Sequence, residues 1–294
     1  MVVAESYGGE ACDVLVALHA KKSAAAVWRA REERPELPVV VALTGTDLYR
    51  DLGEDPGVAE VLRTADRIVA LQPRALEALP ADLRARVRVV PQSAVRLRDR
   101  ETPQEDAGDR FEVCVLAHLR DEKDPLRAAH AARLLPETSR LLVVHAGAVL
   151  DESLGAQARE EALDNPRYRW IGELRRVEAR RLLARSRLLV VSSRMEGGAN
   201  VVTEALAEGV PVVHTRVDGA IGILGADYPG YFEVGDTAGL AALLHAAETD
   251  PGFHGRLQSA CAAVAGFADP ERERHAWAEL LGELAVEGPC SRTA

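Results

Sequence analysis

The sequence predicts an α/β protein built as two doubly wound, Rossmann-like domains, and three observations carry that reading. Short β-branched apolar runs recur along the chain, each giving way to a polar or glycine-containing loop and then to helical spacing. The 294 residues are enough for two domains, and 47% of them are hydrophobic, rich in Ala, Leu and Val, as in a soluble globular α/β protein. Between the halves lies RLRDRETPQEDAGDR, Arg96 to Arg110, polar and without apolar periodicity, which reads as a linker. The expected layout is a domain over 1–95, a linker over 96–110, a domain over 111–268 and a last helix over 269–286.

In the first half, Val2 and Val3 read as the tail of one strand and Cys12 to Leu18 as the next. That strand ends at His19, and strand C-termini face the ligand crevice in open α/β sheets. Lys21 and Lys22 follow at the start of a helix, where cations oppose the dipole unless an anion is near. The run PVVVAL, Pro38 to Leu43, is a strand that empties into Thr44, Gly45, Thr46 and Asp47. Asp47 reads as the N-cap of the next turn, and Arg50 adds a cation. Arg67 to Leu71 and Val87 to Val90 are further strands.

The second half opens on the strand Phe111 to Ala117, followed by His118, Arg120 and a charged DEKD loop carrying Lys123. Asp124-Pro125 then opens a helix. Leu141 to Ala146, Tyr168 to Ile171 and Leu188 to Val191 are strands, with a polar helix from about Asp151 to Leu163 and a loop at Gly172, Glu173 and Leu174. Val217 to Gly235 reads as a glycine-rich crevice loop. Glu271 to Leu284 is amphipathic, with Trp277, Leu280, Leu281 and Leu284 on one face, so Trp277 reads as core packing.

Composition narrows the function. A net charge of −10 argues against a nucleic-acid partner. Cys12, Cys114, Cys261 and Cys290 show no metal or redox spacing and read as buried or incidental thiols in a reducing cytoplasm. No apolar run reaches membrane-spanning length, and no signal-peptide pattern is visible.

The most informative stretch is SSRMEGGANVVTEALAEGVPVV, Ser192 to Val213. It reads as a strand end, a Gly-Gly turn and a helix that stops at Gly209 before Pro211. Gly197 and Gly198 allow close backbone approach, or positive φ where needed. Asn200 reads as the N-cap, so the first amides of the helix carry positive potential suited to a phosphate. Glu196 and Glu204 bracket the turn, and carboxylates accept hydrogen bonds from hydroxyls. Glu204 is placed to hold ribose hydroxyls and Glu196 to hold sugar hydroxyls across a diphosphate. The bland alternative is an ordinary βα unit with two solvated glutamates.

E-G-G-A-N-V-V-T-E-A resembles the E-x7-E motif of retaining, GT4-type glycosyltransferases of the GT-B fold. With LTGTDLYRDL (43–52), AHLRDEKDPLRAA (117–129), NPRYRWIGEL (165–174) and DYPGYFEVGDTAGLAALL (227–244), the chain is similar to the selenosugar synthases of selenoneine biosynthesis. The resemblance implies two Rossmann-like domains facing a cleft, with the last helix crossing back to the first domain. It implies a site in which Lys123, Glu196 and Arg120 act on the transferring sugar and diphosphate. Glu204, Gly197, Gly198, Ala199, Asn200, Val201, His118 and Gly172 would hold the donor. His19, Lys21, Thr44 and Asp47 would serve the acceptor side. Two positions depart from the pattern: Thr44 stands where many relatives carry a histidine, and Ala117-His118 where they carry Gly-Arg, whose role passes to Arg120 or His118. Relatives also open with an earlier strand, a glycine-rich loop and a helix, so a start assigned too late, or a fragment, is expected here, with an incomplete first domain.

The implied reaction is metal-independent hexosyl transfer in the cytoplasm, with no cofactor. A UDP-sugar (UDP-N-acetylglucosamine or UDP-glucose) would give its sugar to selenophosphate, forming a 1-seleno-sugar. No D-x-D pair is present to hold a metal. Lysine, arginine and helix amides would neutralise the departing diphosphate instead. The sequence shows no general base for an alcohol, which fits an acceptor that arrives ionised, its phosphate met by His19, Lys21, Lys22 and Arg50. A hydroxyl-acceptor glycosyltransferase and a non-catalytic sugar-nucleotide-binding module remain as alternatives.

Overall fold

The computed structural model describes residues 2–97 and 110–286. The expected linker falls almost wholly on 98–109, outside the described residues, as does Cys290. The chain divides into two compact units. One gathers the residues up to Gln92, Glu196–Gly198 and the chain from Pro270 onward; the other holds Ser93–Met195 and Ala199–Asp269.

The first unit contains four parallel strands, β1 (Leu15–Leu18), β2 (Val39–Ala42), β3 (Arg67–Ala70) and β4 (Val87–Val89), side by side in chain order. Among the described strands the winding runs in one direction and never reverses. Successive right-handed crossovers in one direction place the linking helices on one face. There α1 (Ala24–Glu33) and α2 (Pro56–Thr64) set Val27, Ala30, Val58, Val61 and Leu62 against Val39 and Val41 of β2. The alternate residues of β2, Val40 and Ala42, point the other way and join Val69 and Val90. Leu280 and Leu284 of the C-terminal helix, Pro270–Val286, cover that face. Trp277 packs at its edge as expected, whereas Leu281 is 43% exposed, because only part of the apolar stripe reaches the sheet. Glu283 fixes the same helix by accepting from Arg88 and from Arg67, each at 2.9 Å. These two guanidiniums hold its carboxyl down at about 2.

The N-terminal expectation needs correcting. Val2 and Val3 are 92% and 83% exposed and form no strand, since no described strand pairs with them. The strand expected from Cys12 begins at Leu15.

The second unit holds six parallel strands: β5 (Phe111–Leu116), β6 (Leu141–Ala146), β7 (Tyr168–Trp170), β8 (Leu188–Val191), β9 (Val212–Thr215) and β10 (Tyr231–Phe232). Their order is β10-β9-β8-β5-β6-β7. The chain starts in the middle at β5, winds outward through β6 and β7, then returns to β8 and winds out the other way. The linking helices are α3 (Arg127–Arg133), α4 (Glu152–Asp164), α5 (Arg176–Arg185), α6 (Asn200–Glu208) and α7 (Asp218–Leu224). Helices on both faces explain why β6 and β8 are buried at every residue, β8 as an unbroken apolar run and β6 as one interrupted by His145. The segment Val217 to Gly235 is not one glycine-rich loop: it contains α7 and β10, whose Ile223, Leu224 and Phe232 join the core. Two further helices, α8 (Thr237–Thr249) and α9 (Pro251–Ala263), complete this unit.

Candidate functional site

In an open α/β sheet ligands bind beyond the carboxyl ends of the strands where the winding reverses. In the second unit that point lies between β5 and β8, which pair directly. The chain leaving β5 runs through His118, Arg120 and Lys123. The chain leaving β8 runs toward Glu196 and the start of α6.

The loop after β5 is fixed from two sides. On one side the ends of β6 and β7 lace to it. Leu119 N–H donates to Ala148 O at 2.8 Å, Ala148 N–H to His118 Nδ1 at 3.0 Å, and Gly147 N–H to Gly172 O at 2.8 Å. Because His118 Nδ1 accepts, its ring proton sits on Nε2, which is left to donate. Gly172 adopts φ +74°, the left-handed region that glycine enters freely. On the other side, Ser192 Oγ donates to Asp124 O at 2.9 Å and to Lys123 O at 3.1 Å. Arg194 N–H donates to Glu122 O at 2.9 Å. Lys123 closes a one-turn 3-10 helix, Asp121–Lys123. Asp124 follows in the left-handed region with its carboxylate on the Arg127 guanidinium, so α3 begins at Arg127 and not at Asp124-Pro125. The half-buried Arg120 has its Nε enclosed and without a hydrogen-bond partner.

Beneath this loop sits His145, fully buried on β6. Nε2–H donates to Ala117 O and Nδ1 accepts the Tyr168 hydroxyl, each at 2.8 Å. Burial lowers the imidazole pKa to about 4, against the pull of the Ala117 hydrogen bond. The unfolded chain therefore binds this proton between about pH 6.5 and 4 while the folded chain does not. Stability from His145 is fully present above 6.5 and falls as pH drops toward 4. His145→Gln is expected to remove about 3 kcal/mol of that acid-side loss. Urea unfolding of both proteins at pH 7 and pH 4.5 checks it; equal losses would dismiss the role.

The start of α6 differs from expectation. Ala199 is the N-cap and Asn200 the first helical residue, with no side-chain cap. Asn200 is exposed, and Thr203 Oγ1 donates back to its carbonyl at 2.8 Å. Val202 N–H donates to Ala199 O at 2.9 Å, so the amides left for an outside acceptor are those of Asn200 and Val201. Val201 is partly buried against the core. Glu204, one turn in, lies 3.8 Å from Arg176 and 3.9 Å from Arg180, both on α5. Burial raises its carboxyl pKa, opposed by Arg180 and then Arg176 and assisted by Glu208.

The remaining expected residues fall in the first unit. Glu196, Gly197 and Gly198 group there, and Glu196 is 8% exposed. Neither glycine takes positive φ. Their need is for space: a Cβ on Gly197 would come within 2.5 Å of the Thr44 carbonyl carbon, and one on Gly198 within 2.7 Å of Leu71 Cβ. Asp47 is not an N-cap. Its fully buried carboxylate reaches back to accept from Thr44 N–H at 2.7 Å, Thr44 Oγ1 at 2.8 Å and Ala20 N–H at 2.8 Å, pinning the ends of β1 and β2 together. His19 sits at φ +69°, uncommon for a non-glycine residue. Its Nε2 lies 3.0 Å from Thr46 Oγ1, and Asp47 and Asp51 stand at 3.7 and 4.0 Å. Lys21 is paired with Asp55 at 3.2 Å, and Arg50 with Asp51 at 3.1 Å.

The structure therefore brings His118, Arg120, Lys123 and Gly172 together at the ends of β5–β7 and the α6 start to the end of adjoining β8. Sequence reasoning missed Arg180, His145 and Ser192. The first sits in the charge run RRVEARR, which reads as a solvated face; His145 sits in an apolar strand, and Ser192 follows a strand with nothing local to show that its hydroxyl reaches the Lys123 and Asp124 carbonyls.

Comparison with known proteins follows from this geometry. The family model described as "Glycosyl transferases group 1" matches residues 98–262, more than half of the 294. No curated protein matches the chain. Among solved structures the chain is similar to Anabaena Alr3699/HepE in complex with UDP-glucose, at 17% identity and TM-score 0.76 over 92% of this chain and 79% of that one. It is also similar to an α,α-trehalose-phosphate synthase (UDP-forming) from Burkholderia vietnamiensis, at 15% identity and TM-score 0.73 over 92% and 75%. At these identities the likeness is one of fold, and the fold is GT-B.

Proposed function

Since the chain belongs to the group 1 glycosyl transferases, we propose that it moves a hexose, N-acetylglucosamine or glucose, from a UDP-sugar to selenophosphate without a metal. One observation carries the donor half: the reversal point of the second sheet collects His118, Lys123 and the buried, unpartnered Nε of Arg120 at the end of the strand adjoining the start of α6. Cations and helix amides so placed suit a departing diphosphate. Glu204 holds the ribose hydroxyls, Gly172 lines the nucleoside, and Glu196 holds the sugar. The UDP-glucose in HepE supports a UDP-sugar as donor.

The acceptor half rests on the resemblance to the selenosugar synthases and on chemistry. Selenium in selenophosphate is anionic and needs no proton removed. Its electron pair forms the C1–Se bond as the C1–O bond breaks and UDP departs. Water then cleaves the P–Se bond, leaving the 1-seleno-sugar and phosphate. His19, with Lys21, Lys22, Thr44, Asp47 and Arg50 around it, serves the acceptor.

A second reading, transfer to a hydroxyl, is favoured by one observation: the imidazole of His19, the group type of a general base, is buried within 4.0 Å of Asp47 and Asp51. Incubation with UDP-N-acetylglucosamine or UDP-glucose and selenophosphate, followed by mass spectrometry, decides between the two. The first reading expects a selenium-containing hexose and UDP release that needs no alcohol. UDP release only with an added alcohol selects the second. Calorimetry with UDP tests the shared donor site, and no measurable affinity there would remove both readings.

A further inference from the structure

Glu204 and Glu208 stand one turn apart on α6, which packs against α5. Like charges at this spacing repel, and burial penalises each further. Glu208 is fully buried, and the Glu204 side chain is 16% exposed. Arg180 of α5 answers both. Its side chain is 7% exposed; Nη2 donates to Glu208 Oε1 and, at 2.9 Å, to Val95 O. Leu97 N–H gives Glu208 Oε1 a second donor at 3.0 Å. Toward Glu204 the contact differs: Nη1 stands 3.9 Å from Oε1, an attraction without a hydrogen bond. The lone pairs of Glu204 therefore stay available to other donors. Arg180 also lines a cleft of about 380 Å³ together with Arg176, Val177, Ser93, Val95 and Leu97. The cleft thus adjoins the guanidinium itself.

We infer that Arg180 is a positioning residue for the nucleotide: anchored by Glu208 and the Val95 carbonyl, it holds the Glu204 carboxylate in place to accept hydrogen bonds from the two ribose hydroxyls. This rests on the reading of Glu204 as the ribose ligand. Glu208 is the anchor that keeps the guanidinium from closing onto Glu204. Arg176, 82% exposed, adds a weaker, solvent-screened attraction from the same helix.

The test compares UDP with 2′,3′-dideoxy-UDP by calorimetry, on the wild type and on Glu204→Gln, Arg180→Met and Arg180→Lys. Hydrogen bonds to a carboxylate predict a wild-type preference for UDP of roughly tenfold or more, and Glu204→Gln abolishes most of it. Arg180→Met is expected to shrink the preference to within about threefold, leaving dideoxy-UDP affinity unchanged. Arg180→Lys keeps a charge for Glu208, so the fold persists. A single ammonium cannot serve Glu208, the Val95 carbonyl and Glu204 together, so the preference still falls severalfold. A pH series adds a second readout. Ribose binding needs ionised Glu204, and loss of Arg180 raises its carboxyl further, so the acid limb of UDP affinity moves to higher pH. A wild type that treats both ligands alike removes the reading of Glu204, and this inference with it. A wild type that prefers UDP, with Arg180 variants that prefer it equally or bind both ligands equally worse, overturns the inference alone.

Discussion

Lys123→Ala is expected to lower kcat for sugar transfer roughly 10²–10³-fold, the cost of removing one well-placed charge donor from a departing anion. The backbone of this turn is held independently of the side chain. Ser192 Oγ reaches the carbonyls of Lys123 and Asp124, and Lys123 N–H donates to Arg120 O at 3.1 Å. Truncation at Cβ removes the ammonium and leaves these bonds in place. Thermal stability is therefore expected to stay within about 1 kcal/mol of wild type, as for substitutions away from buried features. Steady-state kinetics with a UDP-sugar donor, beside a thermal melt, checks both statements. Lys123→Arg should recover part of the loss, because the charge returns with a different geometry. A kcat for Lys123→Ala within threefold of wild type would remove Lys123 from the reaction.

Gly147→Ala is expected to be the most damaging single methyl in the second unit. Its Cβ would overlap the Ala117 carbonyl oxygen, with the carbonyl carbon at 2.5 Å and His118 Cα at 3.0 Å. All three are backbone atoms, so no side chain can swing aside. The ends of β5 and β6 must part, and with them the bonds from Gly147 N–H to Gly172 O and from Ala148 N–H to His118 Nδ1. Overpacking at such a site costs about 3 kcal/mol, at the upper end of the usual range. UDP affinity should fall as well, since the displaced loop carries His118, Arg120 and Lys123. Gly255→Ala is the control: it sits within α9 with nothing within 4 Å of its Cβ. There the added methyl is expected to stabilise by about 0.5–1 kcal/mol. Urea unfolding of the three proteins gives both numbers. A Gly147→Ala variant as stable as wild type would mean the two strand ends are not held as described.

Much of the candidate site was legible because its signals are local. The strands Leu141–Ala146 and Leu188–Val191 are found where apolar runs placed them, and α6 stops at Gly209, φ +71°, as the Gly-Val-Pro ending foretells. What local reading misjudged were roles that depend on a partner elsewhere. Asp47 has the residue type of an N-cap, yet its carboxylate is taken by Ala20 and Thr44. The glycines at 197 and 198 read as room for close approach or positive φ; φ stays negative, and the room is filled by Thr44 and Leu71. Val217 to Gly235 read as loop because its glycines outweighed Ile223, Leu224 and Phe232, which become informative only once a core exists to receive them.

By itself the sequence determined where most strands and helices of the second half form, α7 and β10 excepted, and that a glycine turn with flanking glutamates follows β8. Burial pattern, turn chemistry and helix stops act over a few residues, so they are written in consecutive positions. Tertiary structure alone decided the strand order that reverses between β5 and β8, the lacing of three strand ends beneath His118, and the choice of Arg180 as the neighbour of Glu204 and Glu208. Those contacts join residues far apart along the chain. Their energy comes from desolvation and charge pairing that exist only after the sheet and helices have packed.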